Sequence, residues 1–428
     1  MELDTLLGGK TDCECGRAHI CGIKHIKIGE GALGALPGLL KAFTRVAAVS
    51  DTNTYYVCGA KVTDMIGEKL FSETVLGSPE KRLVPNENTL AQLKANSIGA
   101  DIIVGAGSGV INDVCKYTAF TLGIPYIIVC TAPSMDGYAS SGAALTLNGM
   151  KVTLPAKEPY AIIGDTGILR SAPMDMIRAG YGDIIGKFSC LCDWKLSHIV
   201  NGEYLCPYVY DMTLESAKKI SLSAEKLISR DPGAIEALTK ALIEVGIGMS
   251  YIGNSRSASG SEHHFSHFFE ITGLLEDREC LLHGLDVGYS TLCVQIMREK
   301  IKSLPPDYVP KTMNAPERIR RTEDIYGELA PSVLALQEKT GLYSQDRSVS
   351  YRGKWEKILS VLSEAPTVTE TEKLLTRAGF DIPAFYSFYG AKKLSDAGLF
   401  AKDLKDRYTV LWLYWDLFSG IPERSDPV

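Results

Sequence analysis

The sequence has no apolar run approaching the roughly 18 residues that a membrane span needs. It has no excess of positive charge: 45 Lys and Arg stand against 51 Asp and Glu, for a net charge of −6. Phosphate binding on the scale of a nucleic acid needs clustered cations, so nucleic acid is excluded as the main partner. The first sixteen residues carry neither a basic flank nor an apolar stretch, which reads against a secretory signal and for the cytoplasm. Internal repeats, low-complexity tracts and long charge runs are also absent. What remains is ordinary globular composition, 45% hydrophobic and 22% charged over 428 residues. At about 150 residues per domain, that length suggests two or three domains. Such a chain can bury a sizeable core without disulfides.

The eleven cysteines are odd in number and scattered, mostly in apolar text such as Cys115, Cys130 and Cys293. They read as buried free thiols in a reducing compartment. A denser group, Cys13, Cys15, His19 and Cys21, has a C-x-C-x3-H-x-C spacing that fits no standard zinc pattern. An irregular terminal segment is the plainer reading there, with a metal site as the alternative.

Secondary-structure signals divide the chain near residue 172. Before it, β-rich runs at 46–49, 71–76, 101–104 and 125–130 alternate with helical text at 62–70, 88–97 and 110–122. Alternation of this kind predicts a parallel, Rossmann-like sheet with crossover helices, and continuous apolar strands predict burial on both faces. Asn148-Gly149 between short alternating runs predicts a hairpin. After residue 172 helical periodicity dominates, at 174–185, 214–229, 234–247, 260–272, 284–302, 322–339, 355–364 and 370–378. The expected domains are an α/β nucleotide-binding domain over 1–172 and an all-α metal- and substrate-binding domain over 173–428.

The run at 101–104 leads into Gly105-Ala106-Gly107-Ser108-Gly109, and a helix follows. Glycines let a phosphate approach the backbone, and the helix N-terminus offers free N–H groups and a positive dipole end. By itself such a turn is a weak signal. The polar string Thr131-Ala132-Pro133-Ser134-Met135-Asp136-Gly137 follows one crossover later and should face the same crevice. Together they predict dinucleotide binding.

Histidine is scarce, with seven in the chain, yet His263, His264, His267 and His283 lie within 21 residues. His263 and His267 are spaced i,i+4 and share a helix face, whereas His264 points about 100° away and reads as structural or exposed. Asp183 is a lone carboxylate in apolar, Gly-flanked text, with Lys187 one helical turn later. Two His and a carboxylate bind a divalent metal and leave positions open for substrate. The plainer readings are hydrogen-bonded histidines and a helix N-cap at Asp183. Arg256 and Lys187 offer cationic donors for a phosphate, although a surface ion pair is the commoner fate of an Arg.

Five segments in order carry a resemblance: Gly107-Ser108-Gly109-Val110-Ile111-Asn112-Asp113-Val114-Cys115-Lys116-Tyr117, then 131–141, 182–187, Ser259-Gly260-Ser261-Glu262-His263 and Leu282-His283-Gly284. Over roughly residues 20–300 the chain resembles the bacterial-type sn-glycerol-1-phosphate dehydrogenases. These belong with the metal-dependent glycerol dehydrogenases, iron-type alcohol dehydrogenases and dehydroquinate synthases. The resemblance implies a dehydroquinate synthase-like fold, NAD(H) or NADP(H), one divalent metal (zinc or nickel), a homodimer or larger oligomer, and a role in phospholipid biosynthesis. The implied metal ligands are Asp183, His263 and His283, with substrate contacts from Asp136, Asp183 and His267. Asp136 and His267 would be catalytic. Nucleotide contacts would come from Asp51, Gly107, Ser108, Gly109, Val110, Ile111, Asn112, Asp113, Thr131, Ala132, Pro133, Ser134 and Ser140. The implied reaction is reversible reduction of dihydroxyacetone phosphate to sn-glycerol 1-phosphate. A dehydrogenase for unphosphorylated glycerol or polyols is the nearest alternative. A dehydroquinate-synthase-like lyase and a non-catalytic relative follow.

Overall fold

In the computed structural model the described residues are 3–78, 80, 83–147, 150–305 and 308–420. They form two compact units, each discontinuous in sequence: residues 1–184 with 207–255, and 185–206 with 256–428. Among the described residues strand content ends at residue 165, ahead of the expected change of fold class. Compactness divides differently, because helices Pro207–Ser221 and Pro232–Ile252 pack on each other and cluster with the sheet.

The first unit is built on strands β1 (His25–Gly29), β2 (Val46–Asp51), β3 (Leu70–Leu76), β4 (Ile102–Gly107), β5 (Tyr126–Cys130) and β8 (Ala161–Asp165). They make one parallel sheet in the order β1-β8-β5-β4-β2-β3. Every residue of β4, β5 and β8 is buried, as continuous apolar runs require. Val46, Ala48, Ile102, Val104, Ile127, Val129 and Ile163 form the core beneath one face. Each large aliphatic side chain there contributes about 1.5–3 kcal/mol. From β2 the chain steps outward to β3, and from β4 it steps the other way to β5. The carboxyl ends of β2 and β4 therefore flank the topological switch point, where open α/β sheets bind ligands. Ser50 pairs with Ala106 and Gly107 with Cys130, so the ends of β2, β4 and β5 are level.

Strands β6 (Gly142–Leu147) and β7 (Met150–Pro155) pair antiparallel as a separate hairpin. Its expected Asn148-Gly149 turn lies outside the described residues. The helical run expected at 214–229 is two helices, Pro207–Ser221 and Ala224–Ile228.

The second unit is helical among the described residues. Helices Ser261–Leu275 and His283–Lys302 pack against each other. The buried Asp193 organises this packing. It receives the N–H and hydroxyl of Ser261 at 2.7 and 2.6 Å, Arg298 at 3.1 Å and the Val410 N–H at 3.0 Å. A carboxylate there satisfies an orphan helix donor and suits the positive end of the dipole. The run expected at 322–339 breaks into Ala315–Tyr326 and Ala330–Thr340, because Gly327 adopts φ +48° and Pro331 cannot donate an N–H. Helices Ile382–Phe400 and Val410–Phe418 follow where the sequence reading named none. Among the described residues, no helix is long and apolar enough to cross a membrane.

Candidate active site

In the first unit the predicted nucleotide residues gather at the carboxyl edge of the sheet. Asp51 ends β2 and caps the next turn, accepting the N–H groups of Asn53 and Thr54 at 2.8 Å. Gly107 ends β4, Ser108 is the N-cap, and helix Gly109–Leu122 begins at once. Gly109, Val110 and Ile111 thus carry N–H groups with no acceptor inside the helix. The Thr131 N–H reaches the Gly107 carbonyl at 3.1 Å and joins the two loops.

Asn112, Asp113 and Ser140 do local work as well. Lys116 is fully buried and donates to the Gly137 carbonyl, the Ser140 hydroxyl and the Gly142 carbonyl at 2.7, 2.9 and 3.0 Å. Asn112 adds a bond to the Gly137 carbonyl at 3.3 Å and one to Asp113 at 3.2 Å. Burial lowers the proton affinity of the Lys116 ammonium, and Asp113, 3.8 Å away, opposes that shift. The sequence reading missed Lys116, although it stands one helical turn beyond Asn112 in the quoted motif.

The loop carrying Ala132, Pro133, Ser134 and Asp136 lies hard against two helices. A Cβ on Gly180 would drive into the Pro133 carbonyl oxygen, and one on Gly246 would stand 2.6 Å from the Asp136 carbonyl oxygen. Only glycine allows backbone to seat on backbone at both places. Asp183 is buried in the middle of the 28-residue helix Met174–Asn201, which corrects the N-cap reading. Its Oδ2 accepts the Asp136 N–H at 3.0 Å, and the two carboxylates offer oxygens within 4.8 Å of each other. Like charges this close repel, and a divalent cation is a fitting counter-charge.

In the second unit His263, His267 and His283 form a cluster. Ring centroids are 5.2 Å apart for His263 and His283, 5.8 Å for His267 and His283, and 6.4 Å for His263 and His267. His267, Glu270 and His283 each offer a ligand atom within 4.8 Å of the others. The Nδ1 of His263 lies 2.7 Å from Glu262 Oε1. A carboxylate can only accept, so Nδ1 carries the proton and Nε2 keeps its lone pair, as a metal ligand requires. Burial alone would raise the Glu262 carboxyl; hydrogen bonds from His263, Ser189 and the Gly260 N–H outweigh it and hold the group below its ordinary value. His283 Nδ1 is 3.0 Å from the Ser266 hydroxyl and 3.7 Å from Glu270. His264 is wholly buried, and desolvation with nearby Arg407, Lys405 and Arg256 keeps it neutral.

Both proposed phosphate cations are buried in this unit. Lys187 donates to the Ala258 carbonyl at 2.9 Å. Arg256 pairs with Glu203 at 3.0 Å and donates to the carbonyls of Asp193 and Tyr408 at 3.0 and 2.6 Å. The sequence reading did not single out Glu262 or Glu270, each within three residues of a histidine it did name.

Residues 27–173 match the family described as iron-containing alcohol dehydrogenase. The chain is 30% identical over 413 residues to the NAD(P)-linked glycerol-1-phosphate dehydrogenase of Halalkalibacterium halodurans, spanning 94% of this chain and 95% of that one. Against the enzyme of the same name from Sulfolobus acidocaldarius, identity is 34% over 60% of this chain and 73% of that one. Glycerol dehydrogenase from Schizosaccharomyces pombe superposes with a TM-score of 0.53 at 18% identity, covering 86% of this chain and 92% of its own. The iron-containing alcohol dehydrogenase of Thermococcus thioreducens gives 0.54 at 16%, covering 84% and 99%. At those identities the solved structures speak for the fold alone.

Proposed function

From the premise that the chain belongs to the NAD(P)-linked glycerol-1-phosphate dehydrogenase family, we propose how its residues divide the reaction. The protein is an NAD(P)-dependent oxidoreductase that interconverts sn-glycerol 1-phosphate and dihydroxyacetone phosphate. Identity of 30% across 94% of this chain to a relative of that name carries the activity, and the Glu262-oriented imidazole of His263 carries the metal reading.

The proposed ligands of one divalent ion, zinc or nickel, are Asp183, His263 and His283. The ion, when bound, polarises the substrate oxygen, and the nicotinamide supplies the hydride. His267, one turn beyond His263, moves the proton at the reacting hydroxyl. Asp136 accepts a hydrogen bond from the second hydroxyl. The N–H groups at 109–111 receive the dinucleotide pyrophosphate, and the 131–134 loop with Ser140 shapes the nicotinamide side. Asp51 faces the ribose, where a carboxylate disfavours a 2′-phosphate. Lys187 and Arg256 act on the substrate phosphate. The working form is a cytoplasmic homodimer or larger assembly.

Oxidation of NADH with dihydroxyacetone phosphate, set against unphosphorylated dihydroxyacetone, tests the reading. Turnover should be confined largely to the phosphate ester. Arg256→Ala should lower kcat/KM for the ester by roughly a hundredfold, the value of a lost charge-assisted pair, and affect dihydroxyacetone far less. Equal losses on both substrates would assign Arg256 to holding the 256–260 segment alone.

A further inference from the structure

Residues 8–22 form neither helix nor strand, and their only aliphatic side chains are Ala18 and Ile20, the latter 72% exposed. Ordering a backbone costs about 1–2 kcal/mol per residue, and this stretch has little apolar burial to offset it. It is nonetheless closely organised. The Gly16 N–H closes a turn onto the Cys13 carbonyl at 3.0 Å, with Gly16 at φ +79°. Reciprocal bonds of 2.8 Å between Lys10 and His19 bring the histidine back beside that turn.

We propose that Cys13, Cys15 and His19 bind a structural zinc ion, separate from the dehydrogenase chemistry and independent of its reading. The three offer two sulfurs and an imidazole nitrogen, all within 4.8 Å of one another. Cys15 Sγ lies 3.4 Å from His19 Nε2. Zinc bonds of ~2.3 Å to sulfur and ~2.0 Å to nitrogen at the tetrahedral angle put such a pair about 3.5 Å apart. The outer surroundings fit too. His19 is fully buried, its ring stacks on Tyr251 at 5.3 Å, and its Nδ1 lies 2.8 Å from the Tyr251 carbonyl. A carbonyl only accepts, so Nδ1 carries the proton and the Nε2 lone pair faces the sulfur. Soft thiolates with imidazole favour zinc over hard divalent ions. The fourth position belongs to water or a further thiolate. An ion here closes the 13–19 turn as a disulfide would in an oxidising compartment, and the His19 ring seats that turn on Tyr251 of helix Pro232–Ile252.

The test uses the full chain. Loaded with Co(II), it should show a thiolate-to-cobalt charge-transfer band in the near ultraviolet. His263→Ala should retain that band, and Cys13→Ser/Cys15→Ser should abolish it and remove one zinc equivalent by elemental analysis. Misfolding of the cysteine variant is met by a wild-type measurement. Cys13 and Cys15 should resist alkylation until a chelator strips the zinc, and peptide mapping of all the cysteines identifies any further ligand. Absence of the band, with alkylation equally fast before and after chelation, would leave a thiol–imidazole hydrogen bond and overturn the proposal. Neither result depends on turnover, so the dehydrogenase reading stands or falls separately.

Discussion

In the first unit the 131–140 loop is held where Gly180 and Gly246 let backbone lie on backbone, and Lys116 ties its carbonyls together. The second unit aims its imidazoles differently: Glu262 orients His263, and Asp193 anchors the helix that carries it. The first region depends on side chains that are missing as well as on a buried ammonium, the second on buried charge alone. The first should be intolerant of volume and the second intolerant of lost charge.

The largest expected effect breaks the separation itself. Asp183→Asn and His263→Ala, one in each unit, should each cost roughly a thousandfold in kcat, or about 4 kcal/mol. If both serve one ion, the double variant is scarcely worse than either single one in steady-state assays. Additive losses would mean that Asp183 and His263 do not serve one ion. Next comes volume: Gly180→Ala should destabilise the chain by about 3 kcal/mol in urea unfolding and raise KM for the nucleotide. A variant with unchanged KM would show that the loop is held by Lys116 without that seat.

Lys402 sharpens the charge side. It is fully buried beside Asp403 and Trp415, and desolvation, opposed by Asp403, lowers its pKa to about 8. The unfolded chain titrates near 10.5. Between those values the unfolded state binds more protons, so this residue's contribution to stability rises with pH through that window. Relative to Lys402→Met, the wild type should gain roughly 3 kcal/mol in unfolding free energy from pH 7.5 to 10.5. A constant difference would refute the shift. Smallest is Glu262→Gln, which keeps the shape and removes the charge. Metal affinity should fall about 10–100-fold in chelator competition, with the midpoint of thermal unfolding less affected.

Legibility in the sequence follows the same division. Strands β4 and β5 were readable because burial on both faces leaves continuous apolar text, and the Gly-rich turn follows β4 directly. The shared face of His263 and His267 was readable from spacing alone, and the two belong to one helix. Strands β1 and β8 were not named: His25-Ile26-Lys27-Ile28-Gly29 is short and mixed, and Ala161–Asp165 holds only two β-branched residues. Asp193, Lys116 and Arg256 could not be placed because their partners lie far off in sequence. Asp193 meets Ser261 and Val410, and Arg256 meets Glu203 and Tyr408. Periodicity reports which face of an element is buried, not which distant polar group it meets there.

The Asp193 carboxylate carries one more implication. One of its oxygens receives the Val410 N–H, Arg256 reaches the Tyr408 carbonyl, and Arg407 reaches the Ser259 carbonyl. Residues 407–410 thus brace the approach to the histidine helix from nearly 150 positions downstream. A chain shortened before residue 407 would keep every histidine and still lose the strut that steadies them.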